Sequence, residues 1–150
     1  MSNTSHKKVL FLINSLTVGG AERVFVNDAN ALHERGWDVH VATLFSNGQL
    51  ARDLSVPADH LHALNAKSFL DMRAMHTLRA LCRENGIRTL YTTLNESNAF
   101  GRFAVLGTDV ALMTREANMT DIKPSKYKLL DMLFGWRSKR IIAVSEAVKR

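Results

Sequence analysis

The chain has 150 residues, 46% of them hydrophobic and 23% charged, which is the size and balance of one globular domain with a substantial core. Its single cysteine, Cys82, can make no internal disulfide, and the apolar stretch after Lys7-Lys8 ends at Asn14, too short for a secretory signal or a membrane span; the expectation is a cytoplasmic protein. The net charge of +6 and a sequence pI near 9.8 invite a nucleic-acid reading, but the 20 basic residues are spread along the chain without interleaved aromatics, so no nucleic-acid partner is expected.

In chain order, Met1 to His6 is polar and expected to be weakly held. Val9 to Ile13 is a continuous apolar run, the pattern of a strand buried on both faces of a parallel sheet, and Asn14 to Gly20 breaks it. Ala21 to Arg35 contains no Gly or Pro, carries Glu22 in its first turn and meets the stop signal Arg35-Gly36, which predicts a helix presenting Ala21, Val24, Phe25 and Leu32 on one face. Asp38 to Leu44 follows as a second strand. Phe45 to Asp59, with Asn47-Gly48 and Pro57, reads as a loop holding one helical turn, and His60 to Leu64 as a short third strand. Ser68 to Asn85 places Leu70, Ala74, Leu78 and Leu81 on one helical face and stops at Gly86. Ile87 to Leu94 is the fourth strand, interrupted by Asn95-Glu96-Ser97-Asn98. A helix then runs to about Leu106, Gly107-Thr108 ends it, and Val110 to Thr114 and Ile141 to Val144 supply the fifth and sixth strands. Between them, Lys123 to Arg140 reads from about Ser125 as a helix with a wide apolar arc and a basic side, which could pack on the sheet or touch an acidic membrane surface.

Alternation of strands and helices at this spacing predicts an α/β domain, a doubly wound parallel sheet with helices on both faces and strand order 3-2-1-4-5-6. Ligands of such sheets bind outside the carboxyl ends of the strands, near the point where the order reverses. That rule selects Asn14, Ser15 and the Gly19-Gly20 loop after the first strand, Asn95, Glu96 and Ser97 after the fourth, Arg115, Glu116 and Asn118 after the fifth, and Ser145 and Glu146 after the sixth. Gly19 and Gly20 stand where a strand hands over to a helix. There, unpaired N–H groups without nearby Cβ atoms could hold a phosphate, or the glycines could serve only a tight turn. Neither Gly-Lys-Ser/Thr nor G-x-G-x-x-G is present, and the second strand ends in Leu44-Phe45-Ser46 with no ribose-binding acid, which excludes an ordinary dinucleotide oxidoreductase. Arg115 could grip an anionic group and Glu116 accept a sugar hydroxyl, or the two could form a salt-bridged strand end. The histidines show no metal-ligand spacing, so no metal is expected, and no nucleophile-base arrangement is found.

Val18-Gly19-Gly20-Ala21-Glu22-Arg23, after VLFLINSL and before ALHERG and the strand DVHVATL, resembles the amino-terminal domain of glycosyltransferase family 4, of the two-domain GT-B type. Ile141-Ile142-Ala143-Val144-Ser145-Glu146-Ala147 is similar to the segment that closes that domain's sheet. Two positions depart from the pattern: Asp28 stands on the predicted apolar face of the first helix, and Trp37 where a histidine is common.

The resemblance implies a Rossmann-like fold over residues 1 to 150, the acceptor-side half of a retaining enzyme. Such an enzyme moves a sugar from a nucleotide-diphosphate donor to a glycan or lipid-linked acceptor hydroxyl, without an obligatory metal or cofactor. Gly19 and Gly20 would touch the donor phosphates; Asn14, Asn95, Glu96, Arg115, Glu116, Asn118 and Ser145 would line the acceptor side. The family's second domain, which holds most donor contacts, would begin beyond Arg150, so no catalytic residue is expected within this chain. The chain in isolation should not turn over. A non-catalytic nucleotide- or anion-binding domain, and a basic interaction domain acting through Lys123 to Arg140, are the other readings.

Overall fold

The computed structural model describes residues 7–116, 129, 132 and 138–143. They form a six-stranded parallel sheet in the order β3-β2-β1-β4-β5-β6, the doubly wound arrangement expected from the sequence. Its strands are β1 (Lys8–Ser15), β2 (Asp38–Ser46), β3 (Leu61–Ala63), β4 (Thr89–Thr93), β5 (Ala111–Glu116) and β6 (Ser138–Ala143), and its helices α1 (Gly20–Glu34), α2 (Met72–Asn85) and α3 (Asn95–Ala104).

The central strands are apolar because both their faces are covered. Leu10, Leu12, Ala42, Leu44, Leu90 and Leu112 point toward α2 and α3 and pack with Ala74, Leu78, Cys82 and Phe100. Val9, Phe11, Ile13, Val39, Val41 and Tyr91 point the other way and pack with Phe25, Val26 and Ala29 of α1. The two sets alternate along each strand, as the pleat requires. On the α1 side, Val9, Phe11, Tyr91 and Met113 line a groove of about 480 Å³ beside Asp28 and Leu32.

Several local expectations are corrected. The buried stripe of α1 is Phe25, Val26 and Ala29, with Leu32 partly buried; Val24 turns outward, because the strands α1 crosses select a stripe rotated from the one its composition suggests. Helix α2 begins at Met72 rather than Ser68. The Asp71 carboxylate accepts from the Ala74 N–H at 3.2 Å and so fixes the start, which leaves Leu70 exposed outside the helix. Asn95 to Asn98 does not interrupt the chain but forms the first turn of α3. Strand β6 begins at Ser138, so Lys139 and Arg140 belong to a strand and not to the polar side of a helix. Leu129 and Met132 are helical and exposed, and the rest of the segment expected as a helix, Lys123 to Arg140, lies outside the described residues up to Arg137. Among the described residues no helix is long and apolar enough to cross a membrane.

Cys82 sits in the α2 face of the core, 2% exposed, and burial pushes its thiol up to about 11. The thiolate is the reactive form, so the folded protein is expected to resist alkylation at about pH 8 and to react only on denaturation. Native labelling followed by mass spectrometry checks this; full modification without denaturant would refute the packing around α2.

Candidate functional site

The loops after β1 and β4 leave neighbouring parallel strands at the same edge of the sheet, where the strand order reverses. Asn14, near the end of β1, ties them together. Its Oδ1 accepts from the Ser97 backbone N–H at 3.0 Å and from the Ser97 hydroxyl at 2.7 Å, while its Nδ2 donates to the Glu96 carboxylate at 2.8 Å. Ser97 is fully buried. One carboxamide therefore uses both its accepting and its donating ends to dock the first turn of α3 on β1. The pairing of β1 with β2 shifts at this point, Ile13 opposite Thr43 but Ser15 opposite Ser46, so β2 contributes one extra residue beside Asn14.

The other side of the same turn is fixed by Asn98, which is 1% exposed and whose Nδ2 donates to the Arg115 carbonyl of β5 at 3.1 Å. Between β4 and α3, Leu94 takes φ 77° and ψ 154°, a region almost restricted to glycine that costs about 1–3 kcal/mol. The flanking bonds to β1 and β5 hold the turn against that strain.

After β1, the buried Leu16 is followed by exposed Thr17 and Val18 and then by the two glycines. Gly19 caps α1 in extended geometry, and its carbonyl accepts the first helical bond from Arg23 at 3.0 Å. A Cβ at Gly19 would collide with the Glu22 carboxylate, which folds back beneath it; a Cβ at Gly20 would meet nothing within 4 Å. The free approach is therefore at Gly20, beside amide groups of the first helical turn that have no intrahelical partner.

Of the residues selected from sequence, the structure brings Asn14, Glu96 and the start of α3 together, with Asn95 half-buried as the first residue of that helix. Arg115 lies elsewhere than at an open strand end. Its side chain, 11% exposed, is on the α1 face, with Nη1 3.9 Å from Asp28 Oδ2. This also accounts for Asp28, the polar residue on a helix expected to be apolar there. Its carboxylate faces Arg115 and the Tyr91 hydroxyl, whose ionisation is pushed up first by burial and next by the Asp28 charge. Glu116 ends β5 opposite Ala143, and Asn118 and Ser145 lie outside the described residues.

Sequence reasoning selected Ser97 together with Asn95 and Glu96 but passed over Asn98, which it placed in a polar break after the fourth strand. It also treated the histidines as separate. Strand order 3-2 with period-2 alternation puts His40 on the same face as His60 and His62, and that signal was available.

A family model, Glycosyltransferase Family 4, matches residues 18–150. Among solved structures, Anabaena HepE in complex with UDP aligns with a TM-score of 0.76 at 17% identity, over 95% of this chain and 39% of that one. Sucrose-phosphate synthase from Thermosynechococcus elongatus aligns with a TM-score of 0.59 at 11% identity, over 93% of this chain and 48% of that one. This chain thus spans less than half of either, and at these identities the likeness is one of fold. No curated protein sequence matches it.

Proposed function

The chain belongs to glycosyltransferase family 4, and from that premise we propose that it is the acceptor-side half of a retaining hexosyltransferase working on glycan or glycolipid acceptors. The single observation that carries the proposal is the loop after β1, where an exposed Gly20 with open space above it adjoins the unpaired N–H groups of α1. Such a site suits the diphosphate of a nucleotide sugar, because fixed amide dipoles stabilise the charge that grows on the leaving group. Asn95 and Glu96, on the α3 turn beside it in the sheet, would meet the acceptor; the Glu96 carboxylate is held by Asn14 and is chemically fit to accept a sugar hydroxyl. A second domain in the complete enzyme would supply most donor contacts.

UDP is the first nucleotide to test, given the likeness to a UDP-bound structure. The longest polypeptide carrying this chain is incubated with a panel of UDP-hexoses and UDP release is measured. Release is expected with at least one donor and should fall by about a hundredfold in Gly20→Val, which displaces the phosphates without burying anything in the core. Equal release by the variant would sink the assigned role of the loop. UDP binding without turnover of any donor would favour a non-catalytic nucleotide-binding domain. The cytoplasmic location forms part of the proposal and is checked by cell fractionation.

A further inference from the structure

Away from the glycine loop, toward the amino ends of β2 and β3, three imidazoles and a carboxylate converge. His40 is 4% exposed on β2, and His60 lies just before β3. Asp38 Oδ1 is 3.5 Å from His40 Nε2 and 3.5 Å from His60 Nδ1, and one donor atom from each of the three residues lies within 4.8 Å of the others. No other group of three such side chains converges among the described residues.

We propose that Asp38, His40 and His60 form a binding site for a borderline divalent ion of the zinc type. Tetrahedral zinc with nitrogen and oxygen bonds near 2.1 Å sets its donor atoms about 3.4 Å apart, close to the two separations seen here. Two imidazoles and one carboxylate form a donor set such ions prefer over magnesium or calcium, and a fourth position stays open to water.

The groups around the three residues are arranged as supports. His62 Nε2 lies 3.1 Å from His40 Nδ1, so His40 uses that nitrogen for a neighbouring ring and turns Nε2 toward Asp38. Lys8 Nζ approaches Asp38 Oδ2 at 3.4 Å while donating to the Asn85 carbonyl at 2.9 Å, which leaves Oδ1 for the ion.

The rings of His40 and His60 are nearly parallel, with centroids 3.9 Å apart. In-plane coordination by both therefore requires one to turn. His60 is the ring that can, being 24% exposed in its side chain, and turning exchanges its 3.0 Å contact with the Val39 carbonyl for the ion. The ion would clip β2 to the turn before β3, a structural role independent of sugar transfer.

Titration with Co²⁺ alone, on protein free of any polyhistidine tag, tests the site. One equivalent should produce the visible absorption of low-coordinate cobalt, and added Zn²⁺ should abolish it. His60→Ala should lose the signal, His62→Gln should weaken binding about tenfold, and His76→Ala, an exposed histidine on α2, should leave it unchanged. Circular dichroism verifies that each variant is folded. Absence of a one-equivalent signal in the unaltered protein, or its persistence in folded His60→Ala, overturns the proposal. Should His60→Ala not fold, an undiminished signal in His62→Gln overturns it instead.

Discussion

Gly48→Val is expected to destabilise the fold by about 3 kcal/mol, most of it from a collision of backbone and side chain. Gly48 has φ −130° and ψ −172°, extended backbone open to any residue, so conformational preference is not what requires glycine. The requirement is space. A Cβ at this position would run into the carbonyl carbon and oxygen of Leu16, which cannot move aside as a flexible side chain can. Leu16 is itself fixed: it is fully buried, and its carbonyl accepts from the Leu50 N–H at 2.9 Å. Gly48→Ala should show much of the same loss, since the first carbon already clashes. Urea unfolding monitored by circular dichroism checks both, and an alanine variant as stable as the parent would mean the two loops are not in contact. Because Leu16 leads into Thr17, Val18 and the glycines, the same substitutions should also disturb the nucleotide binding proposed for that loop.

Asn14→Ala should cost about 3 kcal/mol through a different mechanism. The buried Ser97 would lose the acceptor for both its N–H and its hydroxyl, and an unsatisfied buried polar group costs about 1–3 kcal/mol. Asn14→Asp separates the two ends of the clasp. It keeps an acceptor for Ser97 but replaces the donor to Glu96 with a second carboxylate where a 2.8 Å hydrogen bond stood. Two carboxylates so close share a proton, which raises one folded-state pKa above its unfolded value. A raised carboxyl pKa gives stability at low pH that is lost as pH rises through it. The aspartate variant should therefore fall further behind the parent at about pH 8 than at about pH 5. A pH-independent difference between the two proteins would show that Asn14 and Glu96 do not meet.

The strand order was legible because it depends on features the sequence carries openly: apolar runs such as Val9 to Ile13, glycines at helix ends such as Gly36 and Gly86, and the spacing that makes every connection a crossover. The site was legible in part. Asn14 and Glu96 follow from the rule that ligands bind beyond the carboxyl ends of strands, and the structure joins them by a hydrogen bond. Arg115 satisfied the same rule yet pairs with Asp28, because side-chain direction in a strand is set by alternation, and its parity turns it to the α1 face. The strained backbone of Leu94 has no sequence signature, since leucine gives no hint of positive φ. Asp71 was hidden among candidate helix starts, where Ser68 competes with it three residues earlier.

The clasp at Asn14 also bears on how the protein comes to be folded. Asn14 and Glu96 are 82 residues apart in sequence, and the β1–β4 pairing that brings them together is as distant. Contacts so far apart along the chain repay their loop-closure entropy only after much of the fold exists, so they form late. The β1–α1–β2 unit can assemble from local contacts with its glycine loop in place, but the α3 turn has no station on β1 until the two halves of the sheet close on each other. A newly made chain would thus carry its glycine loop well before the α3 turn is docked beside it.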